Sequence, residues 1–121
     1  RDLVRSRGLG DVYKRQEERD VNVKRALLIM KGNEEAYKQF LAEFFEDPDF
    51  VKLGRAIGAR ETQKAFAYAH GLKGMSANLG LDGIYGKLDL LVEILRSAKL
   101  EGAQEIYDAV MEECDRIAEL F

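Results

Sequence analysis

The chain has one histidine, His70, and one cysteine, Cys114. A single imidazole can act as a nucleophile, a proton carrier or one ligand of a metal. Zinc and di-iron sites need several ligands at set spacings, and His70 and Cys114 fall on separate segments, so no metal site follows. What surrounds His70 is informative. Apolar residues at Ala65, Tyr68, Ala69, Leu72, Met75 and Leu79 trace a helical stripe from about Glu61, ended by Gly80. Each helical residue advances about 100°, which sets His70 about 200° from Leu72 and turns it toward water. On the same face, at three- and four-residue steps, stand Ala67, Gly71, Gly74 and Ala77, with Gln63, Phe66 and Lys73 near by.

Two interior glycines cost a helix ~1 kcal/mol each relative to alanine. A helix that only fills a core gains nothing from Gly71 and Gly74. Small residues do give clearance, so that a partner can reach the imidazole and a phosphoryl group can lie against the backbone. An exposed imidazole is largely neutral and nucleophilic at neutral pH and needs no general base beside it. Lys73, one turn on, supplies a mobile ammonium that can steady an added phosphoryl group. Phosphoryl transfer relies on positioning and charge stabilisation, which a partner and its metal ion can complete. Ser76 and Asn78 are read as a helix-contact residue and a helix-ending residue, and Phe66 and Gln63 as rim or docking residues.

The run His70-Gly71-Leu72-Lys73-Gly74-Met75-Ser76-Ala77-Asn78-Leu79-Gly80 resembles the H-x-L-K-G-x-x-x-x-L-G signature of histidine-containing phosphotransfer (HPt) domains. The resemblance extends over the helix order from about Val21 to the C-terminus. It implies that His70 is the phosphoacceptor, that Lys73 steadies the phosphate, and that Gly74 leaves room for a receiver domain. It also implies that donor and acceptor are aspartates of response-regulator receivers, one of which can belong to a hybrid sensor kinase. The Mg2+ would then sit on the receiver, with no cofactor bound by this chain. The docking surface is expected at Gln63, Phe66, Ala67, Gly71 and Ala77.

The elements that must hold this helix are readable from spacing. Val23, Ala26, Leu27 and Met30, stopped by Gly32, make a short first helix. Asn33 caps a second, with Glu34 and Glu35 in its first turn and a stripe of Tyr37, Phe40, Leu41, Phe44 and Phe45. Pro48 suits the start of the next, which bears Phe50, Leu53 and Ile57. Asp82 is expected to cap a helix with Ile84, Leu88, Leu91, Leu95 and Ala98. After a turn near Gly102 the last helix carries Ile106, Val110, Cys114, Ile117 and Phe121. Short connections predict an all-α, antiparallel up-down-up-down four-helix bundle with a short extra N-terminal helix over 20–121. Residues 1–19, rich in Arg and Gly, are set apart as a non-native or disordered tail, since the first 16 resemble a translated linker.

Composition narrows the function further. One domain is expected from 121 residues, and 46% hydrophobic with 34% charged residues, one Pro and no Trp suits amphipathic helices. A net charge of -3 provides no basic face for nucleic acid. A lone cysteine forms no intrachain disulfide and suits a reducing compartment, with Cys114 filling core between Val110 and Ile117. No apolar run approaches the roughly 20 residues that cross a bilayer, so the cytoplasm is expected, and no second apolar stripe demands a dimer, so a monomer is expected. The acidic residues Glu112, Glu113 and Asp115 are read as solvated faces that point apart.

Two other functions compete with the relay. The phosphoacceptor region of a sensor histidine kinase normally has an acidic residue after its His and a Pro beyond. Gly71 follows His70, no Pro occurs after Pro48, and no nucleotide-binding motif is present. A structural or docking bundle without phosphotransfer would have no use for Lys73 and Gly74 at these spacings.

Overall fold

A computed structural model describes residues 21–121, so the expected tail over 1–19 lies outside the described residues. The chain folds into α1 (Val23–Ile29), α2 (Glu34–Phe45), α3 (Asp49–Gly58), α4 (Thr62–Asn78), α5 (Asp82–Arg96) and α6 (Ala103–Ala118). No strand occurs among the described residues; Val21 and Leu81 make one isolated bridge. The first two helices start where side chains replace missing backbone partners. Asn22 Oδ1 accepts from the Arg25 amide at 3.0 Å, and Asn33 Oδ1 from the Ala36 amide at 3.0 Å. Pro48, with φ -63°, precedes α3 and needs no donor there.

Helices α3 to α6 form a ring in which each packs on the next and α6 returns to α3. Cross-helix pairs give the directions. Phe66 meets Arg96 and Lys73 meets Asp89, while Arg25 spans Ala77 and Asp82. As the α4 number rises the α5 number falls, so these helices are antiparallel. The pairs Lys87 with Glu113 and Ile94 with Gly102 give the same relation for α5 and α6.

The ring is sealed by Leu53, Leu72, Ile84, Leu88, Leu91 and Ile117, all fully buried. Each such side chain contributes about 2 kcal/mol through removal from water. Cys114 fills core as expected, and burial pushes its thiol up to about 12. It is therefore no nucleophile at neutral pH.

Several local expectations change. The bundle has a further full helix, α2, outside the ring, packed on α1 and α6; its Tyr37 hydroxyl donates to the Leu79 carbonyl at 2.8 Å. Because α2 has neighbours on only part of its surface, Phe40 is 48% exposed rather than core. Asp82 is the first residue of α5, not its cap, and its carboxylate is drawn instead to Arg25 at 2.6 Å. The contact raises the Arg25 pKa, chiefly through the hydrogen bond to Asp82. Ala98, at φ +60°, and Phe121 both lie past their helix ends. Phe121 packs edge-on against Tyr37. Glu113 is buried, not solvated, and is neutralised by Arg116 of its own helix and by Lys87 at 3.9 Å.

Candidate functional site

The C-terminus of α4 fixes the depth and rotation of the histidine helix. Gly80 adopts φ +71°, which only glycine takes without strain. The Leu81 amide then donates to the Ser76 carbonyl at 3.0 Å and the Gly80 amide to the Ala77 carbonyl at 3.2 Å, closing the helix end. The Asn22 amide donates to the Gly80 carbonyl at 2.6 Å, tying the start of α1 to the same point. Ala65, Ala69, Leu72 and Ser76 face inward, with the Ser76 hydroxyl satisfied by the Lys73 carbonyl at 2.7 Å. With that face buried, the opposite one must carry His70.

His70 is exposed, as are Gln63, Ala67, Gly71 and Gly74. Phe66, Lys73 and Ala77 are half-buried beside them. The residues singled out from the sequence thus share one face of α4. A Cβ placed on Gly71 or Gly74 would meet no heavy atom within 4 Å beyond the adjoining backbone of its own helix, so no packing contact in the bundle requires either glycine. Helical side chains lean toward the N-terminus, and a residue at 74 would lean back over 70. The clearance above His70 is a property of those two missing side chains.

Lys73 differs from expectation. Its ammonium is paired rather than free: Nζ is 3.1 Å from Asp89 Oδ1 and 5.9 Å from the Tyr85 ring centroid, and its side chain is only 17% exposed. The lysine stem lies in the seam between α4 and α5, and Asp89 fixes its head. His70 itself makes no side-chain hydrogen bond or ion pair among the described residues. Its one ring neighbour is Phe66, four residues back, with centroids 5.7 Å apart and planes 7° from parallel. The Arg96 guanidinium lies 5.2 Å from the centroid of the Phe66 ring.

Three participants from α5, Tyr85, Asp89 and Arg96, escaped the sequence reading, as did Gly86. Gly86 is exposed, and a Cβ there would also meet nothing within 4 Å. It lies at helical steps from Asp82, Asp89 and Leu90, on the border of the same face. The signal available was the turn Leu79–Leu81: an antiparallel return of that length sets residues near 89 beside residue 73.

Beside this face runs an apolar groove of ≈ 470 Å³ between α1, α2 and the end of α4, lined by Ile29, Met30, Phe40, Phe44, Met75 and Asn78. Leu28 and Ile29 are 75% and 54% exposed near it. Among the described residues no group of three or more His, Cys, Asp or Glu could hold a metal ion. No helix among them is long and apolar enough to cross a membrane.

A family model described as "Hpt domain" matches residues 35–120. No curated protein and no solved structure gives a significant match. The matched stretch contains α3 to α6, all of the His70 face and its α5 border.

Proposed function

The chain belongs to the Hpt domain family, and from that premise we propose that His70 takes a phosphoryl group from the aspartate of one receiver domain and gives it to another. Membership places the chain in two-component phosphorelays and in contact with receiver domains of response regulators. The observation that carries the finer reading is the exposed His70 beneath Gly71 and Gly74, two glycines that the bundle itself does not need.

The step is a displacement at phosphorus. The lone pair of an imidazole nitrogen attacks, an N–P bond forms, and the P–O bond to the receiver aspartate breaks, releasing its carboxylate. The proton on the other ring nitrogen passes to water, leaving a neutral ring bearing the phosphoryl group. Onward transfer reverses the sequence: a second receiver's carboxylate attacks phosphorus, the N–P bond breaks, and the ring regains a proton. Positioning and charge neutralisation supply most of the catalysis in such a transfer. Lys73 steadies the phosphoryl oxygens by sharing its ammonium between them and Asp89. The Mg2+ is contributed by the receiver.

The receiver docks over Gln63, Phe66, Ala67, Gly71 and Ala77, and its apolar surface extends onto the groove beside Ile29 and Phe40. The protein works as a monomer, with the donor receiver free-standing or part of a hybrid sensor kinase. To test this, the chain is incubated with a panel of phosphorylated receiver domains. At least one is expected to transfer alkali-stable, acid-labile phosphate to wild type and none to His70→Gln. Absence of transfer from every receiver, or equal labelling of His70→Gln, overturns the reading.

A further inference from the structure

We propose that Phe66 is a positioning residue for the transfer at His70, holding the imidazole plane by stacking, with Arg96 bracing the phenyl ring from α5. The inference rests on the reading of His70 as the phosphoacceptor and adds residues that determine its orientation.

The His70 face is nearly bare. Clearing it with Gly71, Gly74 and Ala67 admits a receiver but removes every side chain that could restrain the imidazole on those sides. The χ2 torsion of histidine is intrinsically broad. An exposed ring without a hydrogen bond therefore samples many orientations, few of which aim a nitrogen lone pair at an incoming phosphorus. In-line attack needs the reacting atoms aligned, and misalignment lowers the rate directly.

Phe66 answers that problem. At four residues before His70 it stands where a side chain leaning toward the N-terminus falls. The rings lie 5.7 Å apart at 7°, an offset stack that restricts the imidazole plane without using either ring nitrogen. Both nitrogens remain free for attack and for proton exchange. A hydrogen-bonding neighbour would orient the ring equally well but would occupy one of them.

The stack continues across the helix seam. The Arg96 guanidinium is 5.2 Å from the Phe66 centroid, and its Nε is 3.4 Å from Glu93 Oε2. A planar cation over an aromatic ring adds electrostatic attraction to contact and fixes the ring more firmly than a lysine would. Orientation of the nucleophile is thus set partly by the neighbouring helix, through the antiparallel register of α4 and α5.

The test compares wild type, Phe66→Leu, Phe66→Tyr and Arg96→Gln as full chains, each checked for helical content. Two readouts are taken. The first is the chemical shifts of the His70 ring protons, unambiguous because the chain has one histidine. The second is transfer from the phosphorylated receiver that labels wild type fastest, measured against receiver concentration so that maximum rate and half-saturation separate. Phe66→Leu is expected to move the ring protons toward the shifts of an unstacked histidine and to lower the maximum rate about fivefold, over and above any rise in half-saturation that its place on the docking face brings. Phe66→Tyr restores both readouts, and Arg96→Gln lowers the maximum rate about twofold.

Unchanged ring shifts and rate in Phe66→Leu overturn the inference. So does a raised half-saturation at unchanged maximum rate, which would make Phe66 a docking residue only. Should Phe66→Leu fail to fold, Phe66→Met, which also lacks a ring, is read in the same way. If wild type shows stacked ring protons but accepts no phosphate from any receiver, the proposed function itself falls and leaves Phe66 no transfer to position.

Discussion

Gly74 and Gly80 belong to the same helix and its cap, yet they are glycine for opposite reasons. At Gly80 the backbone is left-handed, and an added Cβ would lie 2.3 Å from the Asn22 carbonyl oxygen. Gly54 on α3 is a second case of the same kind, since its Cβ would fall 2.6 Å from the Tyr107 hydroxyl. Tyr107 in turn donates to the Phe50 carbonyl at 2.9 Å, so α6 approaches α3 only where the side chain is missing. These glycines are demanded by the fold. Gly71 and Gly74 are not: around them there is room for a methyl group, and the helix would be the better for it. One set of absent side chains lets the molecule close on itself, and the other leaves it open to a second molecule.

That contrast is sharpest at Gly80. Gly80→Ala is expected to destabilise the protein by roughly 2–4 kcal/mol, combining the strain of a left-handed alanine with a backbone clash that cannot relax without parting α1 from α4. Chemical denaturation of the variant measures it, and a loss under about 1 kcal/mol would show that the joint at Asn22 can shift. Gly54→Ala should cost less, about 1 kcal/mol net, because overpacking against Tyr107 is offset by the helix preference for alanine. The neighbour here is the end of a side chain, which can swing aside at the expense of its bond to Phe50. A second variant, Tyr107→Phe, removes that hydroxyl but keeps the ring carbons that lie 2.7 and 3.0 Å from the added Cβ, so it should relieve the alanine only in part, by freeing the ring from its bond to Phe50.

The sequence revealed more of the open face than of the closed joints. His70, Gly71, Lys73 and Gly74 announce themselves because a helical face is a local property, set by spacing along one segment. The same holds for the Asn33 cap and for the buried stripe of Ala65, Ala69 and Leu72. Contacts between helices depend on register, which spacing within one helix does not contain. Asp89 holding Lys73, Arg96 on Phe66, and Asp82 turned from capping to pairing with Arg25 all belong to that class. Phe40 misled for a related reason: its stripe is amphipathic, but α2 lies outside the ring and leaves part of that stripe in water. Glu113 departs from the solvated face expected of it because α5 packs over that side of α6 and brings Lys87 to it, while Arg116 pairs with it along its own helix.

The smallest expected change in stability tests the comparison from its other side. Gly71→Ala and Gly74→Ala should each stabilise the protein, by about 0.5–1 kcal/mol, since no contact opposes the methyl group and alanine loses less backbone freedom on folding. In Gly74→Ala that gain should come with slower transfer from a receiver, because the new methyl narrows the open space through which the receiver approaches His70; a longer side chain such as glutamine, able to lean back over the ring, should slow it further. The two measurements are independent, denaturant midpoint for one and transfer rate for the other. A destabilised Gly74→Ala would mean that the fold uses this glycine as it uses Gly80, and the contrast would dissolve. A stabilised variant with wild-type transfer would keep the contrast but remove its explanation, since the clearance would then serve no partner. Only a more stable and slower protein fits a helix that has given up stability to leave its histidine within reach.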